Sequence, residues 1–291
     1  MKMKVNKYRT NTCGELTISD LGKNVVLSGF VQTIRDHGGV MFLDLRDHAG
    51  ITQVVVHDES MLEGVSKETV IKVTGEVIRR DEETINTKLL TGEIEIKCER
   101  LEVLSPKAHT LPFEIDGMQE VNEEVRLKYR YLDMRSKKIS NNIKLRSDVL
   151  HYLRNKMYDL GFTEVQTPIL TVSSPEGARD FVVPSRKFKG KFYALPQAPQ
   201  IYKELLMVGG VDKYFQVAPC FRDEDSRKDR TLEFYQLDME MSYVTEDDVL
   251  EVGEEIFYDV FSKFSNKEVS PRPFRRIAYK EAMDSYGSDK P

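Results

Sequence analysis

The sequence predicts an OB-fold β-barrel at the N-terminus, followed by an α+β domain with an antiparallel sheet and helices. Three observations predict it. Five strand-like runs lie before position 105, an apolar stripe at helical spacing begins at Ile139, and two strand-like runs, Tyr214 to Phe221 and the alternating Phe234 to Ser242, flank a charged turn. At 291 residues the chain is long enough for two cores.

Val25 to Arg35 is a run of strand formers that ends in Asp36-His37-Gly38-Gly39, where the glycines permit the positive φ of a tight hairpin. Val40 to Arg46 alternates, with Met41, Leu43 and Leu45 on one face and Phe42, Asp44 and Arg46 on the other. Asp47-His48-Ala49-Gly50 is a second turn and Ile51 to His57 a third strand. Asp58 to Ser66 reads as a short helix, and Val70 to Arg79 and Glu93 to Val103 complete five strands. The long first strand and the helix after strand three favour a barrel over a five-stranded sandwich.

Ser105-Pro106 and Leu111-Pro112 mark a boundary. Residues 106–137 read as a charged, solvated connector carrying Arg126, Lys128, Arg130 and Arg135. Ile139, Ile143, Leu150, Leu153, Met157 and Leu160 then form one helical stripe, with Gly161 placed to stop it. Phe162 to Thr167 reads as a strand broken by Pro168, Gln200 to Val208 as a helix, and Asp247 to Phe264 as a second amphipathic helix. The domains are thus set at 1–105, a linker at 106–137, and 138–291.

Composition excludes several classes. The three cysteines, Cys13, Cys98 and Cys220, form no CxxC pair, which argues against a disulfide framework or a cysteine-based zinc site and fits a reducing cytoplasm. No run is long and apolar enough to span a bilayer. Residues 1–105 hold 14 Lys and Arg against 17 Asp and Glu, so any RNA contact of the barrel rests on a local surface and not on bulk charge. No G-x-x-x-x-G-K-[ST], G-x-G-x-x-G or G-x-S-x-G pattern occurs, and Gly190-Lys191 is a lone pair in a polar turn.

The segment from Phe221 to Glu240 is chemically dense. Its ends read as strands and its middle as a charged turn. Arg222, Gln236, Asp238 and Glu240 can then project from a sheet toward one place, a combination suited to phosphate and metal chemistry.

This segment, F-R-D-E-D-x-R-x-D-R-x-x-E-F-x-Q-x-D-x-E, resembles motif 2 of the class II aminoacyl-tRNA synthetases, in the form found in bacterial-type aspartyl-tRNA synthetases. Gly161-Phe162 through Pro168-Ile169-Leu170 resembles motif 1 of that class, which builds its dimer interface. Ser174-Pro175-Glu176-Gly177-Ala178-Arg179-Asp180-Phe181 resembles the loop that covers the amino acid, and Leu195 to Lys203 the specificity segment. The resemblance covers nearly the whole chain, barrel included.

The resemblance implies ATP-dependent activation of L-aspartate to aspartyl-adenylate and transfer to tRNA(Asp), by a cytoplasmic homodimer using Mg2+. It implies Arg222 as the catalytic residue between the α-phosphate and the aspartate carboxylate. ATP would meet Arg222, Asp223, Glu224, Thr231 and Phe234, the last lying under the adenine. Aspartate would meet Glu176, Gln200, Lys203, Arg222 and Asp238, with Lys203 facing the side-chain carboxylate. In the barrel, Phe42 would stack an anticodon base, Arg35 and Gln53 would contact phosphate and base edge, and Glu93 the first anticodon base. No metal ligand is assigned. Motif 3 of the class is not found in the sequence, so the resemblance implies the N-terminal part of a longer enzyme, inactive alone. An asparaginyl- or lysyl-type synthetase and a non-catalytic OB-fold RNA-binding protein with a dimerisation domain are the alternatives. Gln200 and Lys203 argue against the first, and only the missing motif 3 supports the second.

Overall fold

The computed structural model describes residues 6–107, 109–115, 120–174, 176–225 and 230–291. It divides into two compact units, Met1–Asn142 and Ile143–Pro291.

The first unit carries β1 (Asn24–His37), β2 (Val40–Arg46), β3 (Ile51–Val56), β4 (Val70–Arg79) and β5 (Ile94–Ser105), closed into a barrel in the order β1-β2-β3-β5-β4. Each predicted strand is present. The predicted helix after β3 is one short 3-10 turn, Glu59–Leu62, whose cap is the Asp58 carboxylate. The barrel closes because β1 is long enough to pair twice. Asn24 to Phe30 pairs with β4 and Phe30 to His37 with β2. A bulge between Val31 and Thr33 lets β1 bend between the two partners. At Gly29 a Cβ would lie 2.4 Å from the Arg46 carbonyl oxygen, so the bend tolerates no side chain there. Leu27, Val31, Leu43, Val54, Val73 and Ile96 all point into a sealed interior. Each contributes about 1.5–3 kcal/mol by leaving water.

The connector differs from the solvated stretch that its charge predicts. It forms α1 (Glu123–Lys128) and α2 (Arg130–Asp133), and Leu132 and Asp133 are buried. Arg126 Nε and Arg130 both reach the Asp133 carboxylate, the former at 3.0 Å, so these charges are consumed internally. Arg135 lies 4.2 Å over the Phe30 ring and pairs with Glu68 at 3.2 Å. Glu68 is buried, has a φ of +69°, and also meets Arg46 at 2.8 Å. One carboxylate thus joins connector to barrel.

The second unit contains most of α3 (Lys137–Asp159), then β6 (Thr163–Glu164), β7 (Val182–Pro184), β8 (Phe192–Ala194) and α4 (Gln200–Val208). β9 (Lys213–Phe221), β10 (Glu233–Met241), α5 (Glu246–Phe264) and α6 (Tyr279–Tyr286) follow. The sheet order is β10-β9-β6, and β7 and β8 form a separate hairpin. Gly161, at φ +80°, ends α3 as predicted. Phe162 N–H bonds the Met157 carbonyl at 3.0 Å and Gly161 N–H the Tyr158 carbonyl at 2.9 Å, a Schellman closure.

Two expectations change. Ile143 is 46% exposed rather than part of a buried stripe, although Ile139 and Met157 are buried. The strand expected at 162–167 shrinks to two residues, because Thr167 N–H bonds the Gln216 side chain at 2.8 Å instead of a neighbouring strand. Met157, Phe162, Phe215 and Ile256 form the core beneath the sheet. No helix among the described residues is long and apolar enough to cross a membrane.

Replacing Glu68 by Ala removes the carboxylate from between two guanidinium groups. Breaking a buried pair in this way costs about 3–5 kcal/mol. Urea unfolding of the Glu68→Ala chain should show that loss in the transition of the first unit. A midpoint within error of the parent would mean that the joint carries no stability.

Candidate active site

The site of the second unit is built on one hairpin. Register pairs Phe234 with Cys220, Gln236 with Ala218, Asp238 with Gln216 and Glu240 with Tyr214. Paired residues of antiparallel strands share a face, so these eight side chains stand together. Arg222 follows β9 in the same alternation, held by its N–H to the Leu232 carbonyl at 2.9 Å.

Lys203, on α4, reaches this face. Its Nζ lies 3.1 Å from Asp238 Oδ1 and 3.2 Å from Glu240 Oε2. Burial alone would push the Lys203 ammonium down, but the Asp238 charge and the bonds to both carboxylates outweigh it, and its pKa stands above the usual lysine value. Asp238 Oδ2 is buried and has no hydrogen-bond partner among the described residues. The Tyr214 phenol lies against the same carboxylate. Beneath it Tyr214 donates to Gln216 Oε1 at 3.3 Å. Burial first, and the Asp238 charge second, raise the Tyr214 phenol. Burial likewise pushes the Cys220 thiol up to about 11. Cys220 therefore stays protonated, its Sγ donating to Gln236 Oε1 at 3.3 Å.

At the other end the Arg222 guanidinium lies 5.0 Å over the Phe234 ring. With Glu224, Asp225, Arg230, Thr231 and Leu232 they line a cavity of about 390 Å³. A guanidinium fork beside an aromatic face suits a nucleotide, the fork taking phosphate and the ring a base. Asp223 faces a second cavity of about 380 Å³, shared with Gly177, Arg179, Glu224 and Arg230. Its N–H bonds the Arg179 carbonyl at 3.0 Å, which ties the covering loop to the hairpin.

Two glutamines of the specificity segment have different surroundings. Gln200, predicted to pair with Lys203 in one pocket, is exposed and bonds Glu204 at 2.7 Å. Gln197, to which the sequence reading gave no role, is 1% exposed. Its Oε1 accepts the Ala178 N–H at 3.1 Å, and its Nε2 donates to the Ala178 carbonyl at 2.9 Å and to the Asp180 carboxylate. It is the latch of the covering loop, in which Glu176 accepts the Ser174 hydroxyl at 3.0 Å. Nothing in the local pattern separates the two glutamines, since the partners of Gln197 lie 17 to 23 residues upstream. Among the described residues no group of three His, Cys, Asp or Glu side chains is spaced to hold a metal ion.

The barrel offers a second polar face. Arg35 pairs with Phe42 and Asp44 with Gln53 across β1, β2 and β3. Arg35 grips Asp44 with both arms of its fork, at 2.7 and 2.9 Å, and donates to Gln53 Oε1 at 3.2 Å. Gln53 in turn donates to Glu95 at 2.8 Å. Phe42 is half-buried beside the edge of His37 at 5.5 Å, while Glu93 is exposed outside this network. Asp44 and Glu95 were not predicted as site residues, although the alternation of β2 already placed Asp44 beside Phe42. Arg46, in the same alternation, is instead buried against Glu68.

Comparison with known proteins fits this geometry. Residues 122–291 match the class II tRNA synthetases (D, K and N), and residues 25–104 match an OB-fold nucleic acid binding domain. The aspartate–tRNA(Asp/Asn) ligase of Phenylobacterium zucineum is 57% identical over 289 residues, covering 98% of this chain and 49% of that protein. The aspartate–tRNA(Asp/Asn) ligase of Pelagibacter ubique is 56% identical over 292 residues, covering 99% and 49%. The chain therefore spans about half the length of the curated relatives it matches. Among solved structures, the asparaginyl-tRNA synthetase of Pyrococcus horikoshii complexed with asparaginyl-adenylate superposes with a TM-score of 0.79 at 28% identity, covering 94% of this chain and 66% of that one.

Gln197→Leu keeps the size of the latch and removes its amide. Each buried group left without a partner costs about 1–3 kcal/mol, so the second unit should unfold at lower urea. Gln197→Glu places a second carboxylate against Asp180, and its loss of stability should shrink in mild acid. A Leu variant with an unchanged midpoint would remove the latch from this account.

Proposed function

The chain belongs to the class II tRNA synthetases (D, K and N), and from that premise we propose that it serves an aspartate–tRNA ligase. The aspartate α-carboxylate attacks the α-phosphorus of ATP, a phosphorus–oxygen bond to pyrophosphate breaks, and aspartyl-adenylate forms. The terminal adenosine hydroxyl of tRNA then takes the aspartyl group and releases AMP. Both steps need positioning and charge neutralisation more than a side-chain nucleophile.

The observation that carries the reading is the Lys203 ammonium set between the Asp238 and Glu240 carboxylates on the site face. Asp238 and Glu176 supply the carboxylates that complement the substrate ammonium. Lys203, held at 3.1 Å from Asp238, meets the side-chain carboxylate, which a neutral asparagine amide would not satisfy. Arg222 bridges the aspartate carboxylate and the α-phosphate, because its planar fork matches both anions. Phe234 receives the adenine, while Glu224 and Thr231 line the same cavity and Asp223 its neighbour. The described residues offer no three-ligand cluster for Mg2+, and the roles above rest on side chains alone.

The anticodon settles on the barrel face at Phe42, Arg35 and Gln53, with Glu93 at its rim. The printed names of both curated relatives give tRNA(Asp/Asn), and the reading extends to tRNA(Asn) as a second acceptor. Exposed Ile169 and Leu170 of the motif 1 segment fit a homodimer contact in a cytoplasmic enzyme.

Arg222→Lys, introduced into the gene product that carries this sequence, keeps the charge and loses the fork. Aspartate-dependent ATP–pyrophosphate exchange should fall by about 10²–10³-fold, as for loss of one preorganised donor. Near-normal exchange would sink the assignment. Phe42→Ala should weaken binding of the anticodon stem-loop by about 5- to 150-fold, from about 1–3 kcal/mol per stacked base. An unchanged titration would make Phe42 a packing residue only.

A further inference from the structure

The densest run of cations in the sequence of the second unit lies outside the residues assigned above. The turn between β7 and β8 reads Ser185-Arg186-Lys187-Phe188-Lys189-Gly190-Lys191, four cations and no anion, in a chain of net charge −5. All four cationic side chains are exposed, and none makes an ion pair among the described residues. Such a cluster repels itself, so an ordered turn must hold it. Ser185 N–H bonds the Lys191 carbonyl at 2.9 Å, Lys191 N–H the Phe188 carbonyl at 3.1 Å, and Phe188 N–H the Ser185 hydroxyl at 3.1 Å. Gly190, at φ +72°, completes the reversal.

Aromatic rings interleave with the cations. Phe188 is 53% and Phe192 61% exposed, and Lys187 Nζ sits 5.5 Å from the Phe188 ring centre. Exposed rings alternating with Lys and Arg are the chemistry of contact with unpaired bases and their phosphates. Both ends of the hairpin are fixed to the candidate site. Leu195 N–H bonds the Phe181 carbonyl at 2.9 Å, and Ala194 exchanges two backbone bonds with Thr171, at 2.8 and 3.0 Å. One strand leaves from the covering loop at Asp180, and the other returns into the segment of Gln197 and Lys203.

We propose that the Arg186–Lys191 turn is an RNA-backbone contact that receives the single-stranded end of the acceptor RNA on its way into the site. This rests on the ligase reading above. A protein partner is less well matched, because the turn offers four cations and no anion within seven residues.

The test uses the gene product with Arg186, Lys187, Lys189 and Lys191 all changed to Gln. The probes are an acceptor-stem minihelix ending in unpaired CCA and an anticodon stem-loop, each titrated over a salt series. Each phosphate contact contributes about 0.7–0.9 to the slope of log affinity against log salt. The minihelix slope should become shallower by about 3, while anticodon stem-loop binding and aspartate-dependent pyrophosphate exchange stay at the parent level. An unchanged minihelix slope overturns the proposal. So does a variant that changes only its sedimentation, which would make the turn a protein contact. Absence of exchange in the parent protein would overturn the ligase reading instead, and the minihelix slope would still judge the turn.

Discussion

The chemistry offered by the second unit depends on the register of one hairpin. Side chains of a strand alternate between faces, so a slip of one residue would exchange every member of the site for its neighbour. The opposite face prevents the slip. Phe215 is buried with Met157 and Ile256, and Leu237, Met239 and Met241 pack against the same cluster. Moving these groups into water would cost more than any polar contact on the site face returns. An apolar requirement on one side thus positions Arg222, Phe234, Asp238 and Glu240 on the other. Lys203 then needs only one helical turn of α4 beyond Pro199 to reach two of them.

Charge is organised locally in both units. In the barrel, Arg35, Asp44, Gln53 and Glu95 form a continuous hydrogen-bonded chain on one face. A face whose polar groups already hold one another presents fixed donors and acceptors, with little ordering cost on binding. In the second unit Lys203 is matched by carboxylates on the site face, whereas the cations of the β7–β8 turn make no ion pair among the described residues. The first arrangement complements a small zwitterion, and the second complements a polyanion.

The sequence pattern makes most elements legible, because alternation and helical spacing are local signals. The bounds of α4 coincide with the run read as Gln200 to Val208, and the five barrel strands fall where turn residues place them. The failures share a cause, which is a partner far along the chain. The strand after Phe162 is short because Gln216, 49 residues away, takes the Thr167 amide. The latch role of Gln197 is hidden because the loop atoms that surround it lie upstream. The connector reads as solvated because nothing nearby shows that Asp133 becomes buried and gathers Arg126 and Arg130.

The closing seam of the barrel has a consequence for how the unit assembles. β1, β2 and β3 are neighbours in sequence and meet through short turns. β3 and β5 meet in parallel through only two residue pairs, Val54 with Ile96 and Val55 with Lys97. Drawing such distant segments together is the entropically expensive step of folding, and it follows the local hairpins. The hydrogen bond from Gln53 to Glu95 crosses that same seam, over a separation of 42 residues. The polar chain therefore gains its last member, Glu95, only when that seam closes. A nascent or half-formed barrel displays no complete face, and possession of the face is itself a certificate that the chain has finished folding.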